Sequence, residues 1–299
     1  MVTTEGTGSG TRGNAGPAAA QPPEQPAPAA AMPAPAKPLP LPLRVYRWTR
    51  ATAHVLEGVA MTTLLFPLVG AQRRRALSAL WSRRLLRILR IEARVHGQGA
   101  AGVGGNVLIV ANHISWLDIF VLTAVQPARF IAKSELRRWP LIGRFAESGG
   151  TLFIDRTRRH DTHKVNRHAA EVLARGDVIA IFPEGTTTDG RDVLPFHGSL
   201  LQPIVDAEGH VQPVAIRYVH HEGGINDAVA YVGDTSFLSS FWRVTGERRV
   251  VVELHMTEPL PARERHRREL SREAEAAIRR ALALPARGTE PGTPGGPPA

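Results

Sequence analysis

The chain has 299 residues, 43% of them hydrophobic, enough for one stable core with room for a second domain. Lys and Arg number 37 against 27 Asp and Glu, so the formal charge of +10 favours anionic partners: nucleic acid, an acidic lipid surface or acidic substrates. Cysteine is absent, which excludes disulfides, thiolate zinc sites and a cysteine nucleophile.

Residues 1–42 are rich in Pro, Ala, Gly and Ser and bury too little apolar surface to offset their ordering entropy, so they read as a disordered tail. They hold no basic start followed by an unbroken apolar core, and no secretory signal is expected. Residues 43–92 read as a membrane-associated helical hairpin. Its first arm, 51–72, has no Lys or Arg and is flanked by Arg44, Arg47 and Arg50 and by Arg73, Arg74 and Arg75. That length spans a bilayer or enters one leaflet, with His54, Glu57, Thr62, Thr63 and Pro67 interrupting it. Its second arm, 73–94, has eight arginines and one acid, with Leu77, Leu80, Trp81, Leu85, Ile88 and Leu89 at helical spacing. Such a helix lies on an anionic membrane surface with its apolar face inserted, or packs on the domain as a basic surface helix. The arginines after residue 72 place the following domain on the cytoplasmic side of the cell membrane.

Residues 93–284 alternate between strand and helix patterns. Strands are predicted at 93–96, 107–111, 129–132, 152–155, 178–182, 212–218, 228–232 and 249–256. Helices are predicted at 115–125, 141–147, 162–175, 236–244 and 263–284. The alternation predicts an α/β fold with a largely parallel or mixed central sheet flanked by helices. Residues 285–299 repeat the character of the first tail.

In such folds sites gather beyond the carboxyl ends of strands, where two motifs fall. After Val107–Ala111 comes Asn112-His113-Ile114-Ser115-Trp116-Leu117-Asp118. Five positions on a continuous helix turn a side chain by about 140°, so His113 and Asp118 meet only if the backbone turns before the helix. His113 in that turn, with Ser115 as N-cap, lets Asp118 hold Nδ1–H and leaves Nε2 to take a proton from a hydroxyl. Ser115-x-x-Asp118 is also a capping-box pattern; if Asp118 only caps, its removal costs about 1 kcal/mol. After 178–182 comes Phe182-Pro183-Glu184-Gly185-Thr186, a tight turn that aims Glu184 toward an acceptor's hydroxyl or amine. A third segment, Gly150 to Arg156, ends a strand by presenting Arg156, whose fork suits a phosphate.

Other patterns fail. Gly97-Gln98-Gly99-Ala100-Ala101-Gly102 has the letters of a dinucleotide fingerprint, but a strand follows rather than a helix. His160 and His163 form no metal site, and no metal or cofactor is expected. The arginines lack interleaved aromatics, so nucleic acid is not expected as a partner.

In order and spacing these segments resemble the lysophospholipid acyltransferase family, of the 1-acylglycerol-3-phosphate acyltransferase type, over about residues 90–220. Asn112–Asp118 resembles its Asn-His-x-x-x-x-Asp block, Gly150–Arg156 its Gly-x-x-Phe-Ile-x-Arg block, and Phe182–Thr186 its Phe-Pro-Glu-Gly-Thr block; Pro213 falls on the proline of a fourth. The resemblance implies transfer of an acyl chain from acyl-CoA or acyl carrier protein, as co-substrate, to the free hydroxyl of a lysolipid. His113 and Asp118 would be catalytic, and Arg156, Glu184, Gly185 and Thr186 would bind the acceptor. The acceptor implied first is 1-acylglycerol-3-phosphate, giving phosphatidic acid; lyso-ornithine lipid or another lysolipid is the alternative. Thr187 and Thr188 stand where the family often has Arg-Ser, and His197 where it often has Lys, leaving Arg191 as the nearby cation. A thioester hydrolase and a non-catalytic lipid-surface protein are the competing classes.

Overall fold

A computed structural model describes residues 39–99, 105–138, 143, 146, 147, 149–154 and 159–287. Most of both predicted tails, most of the helix expected at 141–147, and Asp155 and Arg156 lie outside the described residues.

The described residues begin with two helices, α1 (Leu41–Ala60) and α2 (Ala71–Ile88). Pro42 starts α1, where a missing N–H costs nothing. Pro67 ends the helical run: the backbone loosens into a π turn at Met61–Leu65 and tightens into a 3-10 turn at Phe66–Leu68. Leu41–Leu68, 28 residues, is long and apolar enough to cross a membrane. The polar residues within it join the two arms. The His54 ring stacks on Trp81 of α2 with centroids 4.6 Å apart. His54 Nε2 lies 3.0 Å from the Trp81 carbonyl, and Trp81 Nε1 donates to the His54 carbonyl at 3.0 Å. Gly58 permits this approach, since a Cβ there would lie 2.6 Å from Trp81 Nε1.

The apolar side of α2 does not face outward. Ala79, Trp81, Leu85 and Leu86 are buried, α2 packs on α3 (Leu117–Val125), and Arg83 donates to the Ala124 carbonyl at 2.8 Å. Apolar surface is exposed instead at Leu56, Leu64, Leu65 and Leu68 of the first arm and turn, joined by Leu80. The predicted inserted face of the second arm is thus mostly domain core, because the aliphatic side of α3 is there to cover it.

The remaining elements are β1 (Ile91–His96), β2 (Val107–Ala111), β3 (Arg129–Lys133), β4 (Leu152–Ile154), α4 (Arg159–Ala174), β5 (Val178–Ile181), α5 (Gln202–Asp206), β6 (His210–His220), α6 (Phe237–Gly246), β7 (Val250–Met256), β8 (Leu260–Pro261) and α7 (Arg267–Ala281). They form a mixed α/β fold around one eight-stranded sheet ordered β1-β7-β6-β2-β5-β3-β4, with β8 also on β6. Pairing is parallel except for β6 with β7 and β6 with β8. All five residues of β2 are buried, as an unbroken apolar run in a central parallel strand requires. One face of the sheet is covered by α2, α3 and α6, the other by α4, α5 and α7. The strand predicted at 228–232 is absent. Asn226 accepts the Ala228 N–H at 3.0 Å and caps a 3-10 turn at Asp227–Val229, the local bond that Asn offers in place of a ladder.

β2 lies between β5 and β6, so the loops leaving β2 and β5 emerge side by side at one end of the sheet.

Candidate active site

β2 ends at Ala111, but its pairing with β6 is carried one step further by a side chain. Asn112 donates through Nδ2 to the Ile216 carbonyl at 2.9 Å and accepts the Ile216 N–H at 2.7 Å. Its carboxamide thus replaces a peptide group, and the main chain is free to turn at His113.

That turn brings His113 and Asp118 together. His113 Nδ1 lies 2.8 Å from Asp118 Oδ2. The same oxygen accepts the backbone N–H of Ile114 at 2.7 Å and of Ser115 at 2.9 Å. Oδ1 accepts the Tyr218 hydroxyl at 2.8 Å. Asp118 is fully buried, so four donors replace its water. A carboxylate opposite Nδ1 fixes the proton there and leaves the Nε2 lone pair open. Nε2 has no partner among the described residues, and the imidazole is 19% exposed.

Only half of the predicted capping box forms. Asp118 reaches back to the Ser115 N–H, but the buried Ser115 hydroxyl has no partner and caps nothing. The carboxylate orders the turn by gathering its amides, and this binds cap and dyad into one unit.

The second loop supports the first from the side. The Phe182 ring stacks on the His113 ring at 4.0 Å between centroids, 10° from parallel. The Gly185 N–H donates to the Phe182 carbonyl at 3.1 Å, closing a tight turn, and Gly185 has a φ of 75°, where a side chain would strain. Both oxygens of buried Glu184 are engaged by main chain: Oε1 accepts the His113 N–H at 2.7 Å and Oε2 the Leu194 N–H at 2.8 Å. Burial pushes this carboxyl up to about 7, against the pull of the two amides and aided by the charges of Asp118 and Asp192. In the same loop the Thr188 N–H donates to the His113 carbonyl at 2.8 Å. Thr186 stands exposed at the rim. The loop beyond is held from α7, where Arg279 Nη1 donates to the Val193 carbonyl at 3.0 Å.

The structure therefore groups His113, Asp118, Glu184 and Gly185 and leaves Thr186 at the edge. Arg156 lies outside the described residues. Arg191 is paired with Asp227 at 2.8 Å and with Asp189 at 3.7 Å. Sequence reasoning missed the parts played by Asn112 and Tyr218. For Tyr218 the only signal was alternation, which places Val214, Ile216 and Tyr218 on one face of β6.

The arrangement is a shielded imidazole with a fixed tautomer at the end of a central strand paired in parallel on both sides, able to take a proton from an alcohol. Comparison with known proteins identifies the family. Residues 92–217 match the family model described as Acyltransferase. The lyso-ornithine lipid O-acyltransferase of Pseudomonas aeruginosa is 42% identical over 210 residues, 70% of this chain and 79% of that protein. The 1-acyl-sn-glycerol-3-phosphate acyltransferase of Neisseria gonorrhoeae is 38% identical over 158 residues, 53% of this chain and 62% of that protein. The crystal structure of the 1-acyl-sn-glycerophosphate acyltransferase PlsC from Thermotoga maritima shares the fold, with a TM-score of 0.58 and 24% identity over 84% of this chain and 98% of that one. The chain belongs to the acyltransferase family.

Proposed function

We propose that this acyltransferase carries an acyl chain from a thioester, acyl-CoA or acyl carrier protein, to the free hydroxyl of a lysolipid. One observation carries the reading: His113 Nδ1 rests on a fully buried carboxylate while Nε2 stays open. Nε2 takes the hydroxyl proton as the oxygen attacks the thioester carbonyl. The C–S bond then breaks, the ester forms, and the imidazolium returns the proton to the leaving thiolate. Asp118 keeps Nδ1 protonated and stabilises the imidazolium while it exists.

The acceptor favoured is lyso-ornithine lipid. The relative acting on it is the more similar, and the two sites where phosphate-binding cations are common in the family hold Thr187 and His197. Arg191, beside them, already has two acidic partners. 1-Acylglycerol-3-phosphate is the second reading, supported by the Neisseria relative and by an arginine at position 156, whose guanidinium chemistry suits a phosphate. Acceptor binding falls to Arg156, Gly185 and Thr186, with Glu184 fixing the loop that carries Gly185 and Thr186. The reaction takes place at an anionic membrane surface. Leu64 and Leu68, exposed at 69% and 81%, support entry of this turn into lipid, and the arginines of α2 favour a catalytic domain on the cytoplasmic side.

Purified protein supplied with acyl-CoA or acyl carrier protein and a lysolipid panel tests this. The expected result is thiol release that depends on acceptor, with the acylated lyso-ornithine product identified by mass spectrometry. Thiol release without acceptor assigns a hydrolase instead, and no turnover with any acceptor ends the proposal.

A further inference from the structure

Tyr218 reaches the dyad from β6, about a hundred residues further along the chain. Its position is fixed from both sides: Asn112 clamps Ile216 two residues earlier, and the ring is buried in the core under α3 and α6. Its hydroxyl donates to Asp118 Oδ1 at 2.8 Å, while the three other donors of that carboxylate, His113 Nδ1, Ile114 N and Ser115 N, all converge on Oδ2.

We propose that Tyr218 is a positioning residue for acyl transfer, its hydroxyl holding the Asp118 carboxylate in the rotation that keeps Oδ2 on the His113 ring. This inference rests on the reading of His113 as general base. Rotation about the bond to a carboxylate is soft, with no deep staggered wells to hold it. With Oδ1 bare and no water in reach, the group gains by swinging so that its two oxygens share the three donors. Either backbone amide can follow only slightly, so the imidazole loses its share of the bond. The phenol prevents this by occupying Oδ1. It serves as a constant donor, because burial and then the neighbouring Asp118 charge raise its pKa well above the ordinary tyrosine value. It therefore acts through Asp118 and does not shuttle protons itself.

The test compares Tyr218→Phe, Asp118→Asn, the double variant and His113→Ala in the full chain, in mixed micelles with the lysolipid that turns over. Tyr218→Phe keeps the ring and removes one oxygen. It is expected to lower kcat by about 10- to 100-fold, the range for removing an outer hydrogen-bond partner of a functional histidine, with KM unchanged. The Nδ1–H proton resonance of His113 is expected to move and to exchange faster with solvent. The double variant should be no slower than Asp118→Asn alone, as coupling through one carboxylate demands. Parental kcat and an unmoved resonance in Tyr218→Phe, with His113→Ala inactive, overturn this inference and leave the base intact. An active His113→Ala overturns the base reading and this inference together. Should Tyr218→Phe fail to fold, 3-fluorotyrosine at position 218 retains ring and hydroxyl and strengthens the donor. It is then expected to keep turnover and shift the His113 resonance, and an unmoved resonance overturns the inference.

Discussion

Asp118 gives the most informative perturbation, and the choice of substitution decides what is learned. Asp118→Ala strips the acceptor from four donors. His113 is 19% exposed and can turn to water, but Ile114, Ser115 and Tyr218 are buried. Three unpaired buried donors at about 1–3 kcal/mol each cost about 3–9 kcal/mol, a large part of an ordinary domain's stability. That exceeds the single-cap expectation of about 1 kcal/mol and confounds folding with catalysis. Asp118→Asn separates them. Its carbonyl oxygen can keep His113, Ile114 and Ser115, and its amide can donate to the Tyr218 oxygen, which has lone pairs to spare. What disappears is the charge facing the imidazolium. The expected fall in turnover is about 10²- to 10⁴-fold, or about 3–5 kcal/mol on the barrier. KM should stay near its parental value, since Asp118 is sealed from substrate. Thermal unfolding followed by circular dichroism should show a loss of only a few degrees, while thiol release with saturating acceptor collapses. An Asp118→Asn protein with turnover within about threefold of the parent would refute the orienting role.

Three further outcomes are expected. The Glu184 carboxyl sits at about 7 when folded, above its unfolded value of 4.5, so the folded state binds more protons between those limits and stability falls as pH rises through them. Glu184→Gln loses one of two amide contacts, about 1–2 kcal/mol; its deficit in melting temperature against the parent should shrink from pH 4.5 to 7, and a constant deficit would exclude the upward shift of the Glu184 carboxyl. Asn112→Ala leaves both main-chain groups of buried Ile216 without partners, a cost of about 2–5 kcal/mol and several degrees per kcal/mol in calorimetry; a melting point within a degree would contradict the strand-extension role. Replacing Leu64, Leu65 and Leu68 with Ser removes about 1–2 kcal/mol of lipid transfer per side chain, so vesicle co-sedimentation should drop while turnover of a short-chain soluble acceptor persists. Unchanged sedimentation would place the membrane contact elsewhere.

The sheet was legible because its central strand is an uninterrupted apolar run and its neighbours alternate with helices. His113 and Asp118 were legible as a pair because their spacing leaves a turn as the one way to join them, and Pro183 and Gly185 marked the second turn. What periodicity could not carry was direction. Leu85 and Trp81 gave α2 an apolar stripe, but the stripe alone does not say whether lipid or α3 covers it. Ser115 looked like the cap because hydroxyls usually are, whereas the carboxylate took the amides and the hydroxyl stayed unpaired. Glu184 looked aimed at a ligand, and the structure gives its oxygens to His113 and Leu194. Tyr218 resembled any inward residue of a core strand, since a pairing across a hundred positions leaves no local trace.

The Asn112 carboxamide has a bearing on engineering. The loop that carries the histidine starts from a strand whose last rung is a side chain, and that rung needs a parallel neighbour with an open peptide at Ile216. Grafting the seven residues from Asn112 to Asp118 onto a hairpin or an edge strand would therefore import the letters without their anchorage. A transplant that succeeds has to bring two adjacent strands in register, which makes the pair, rather than the loop, the smallest transferable module.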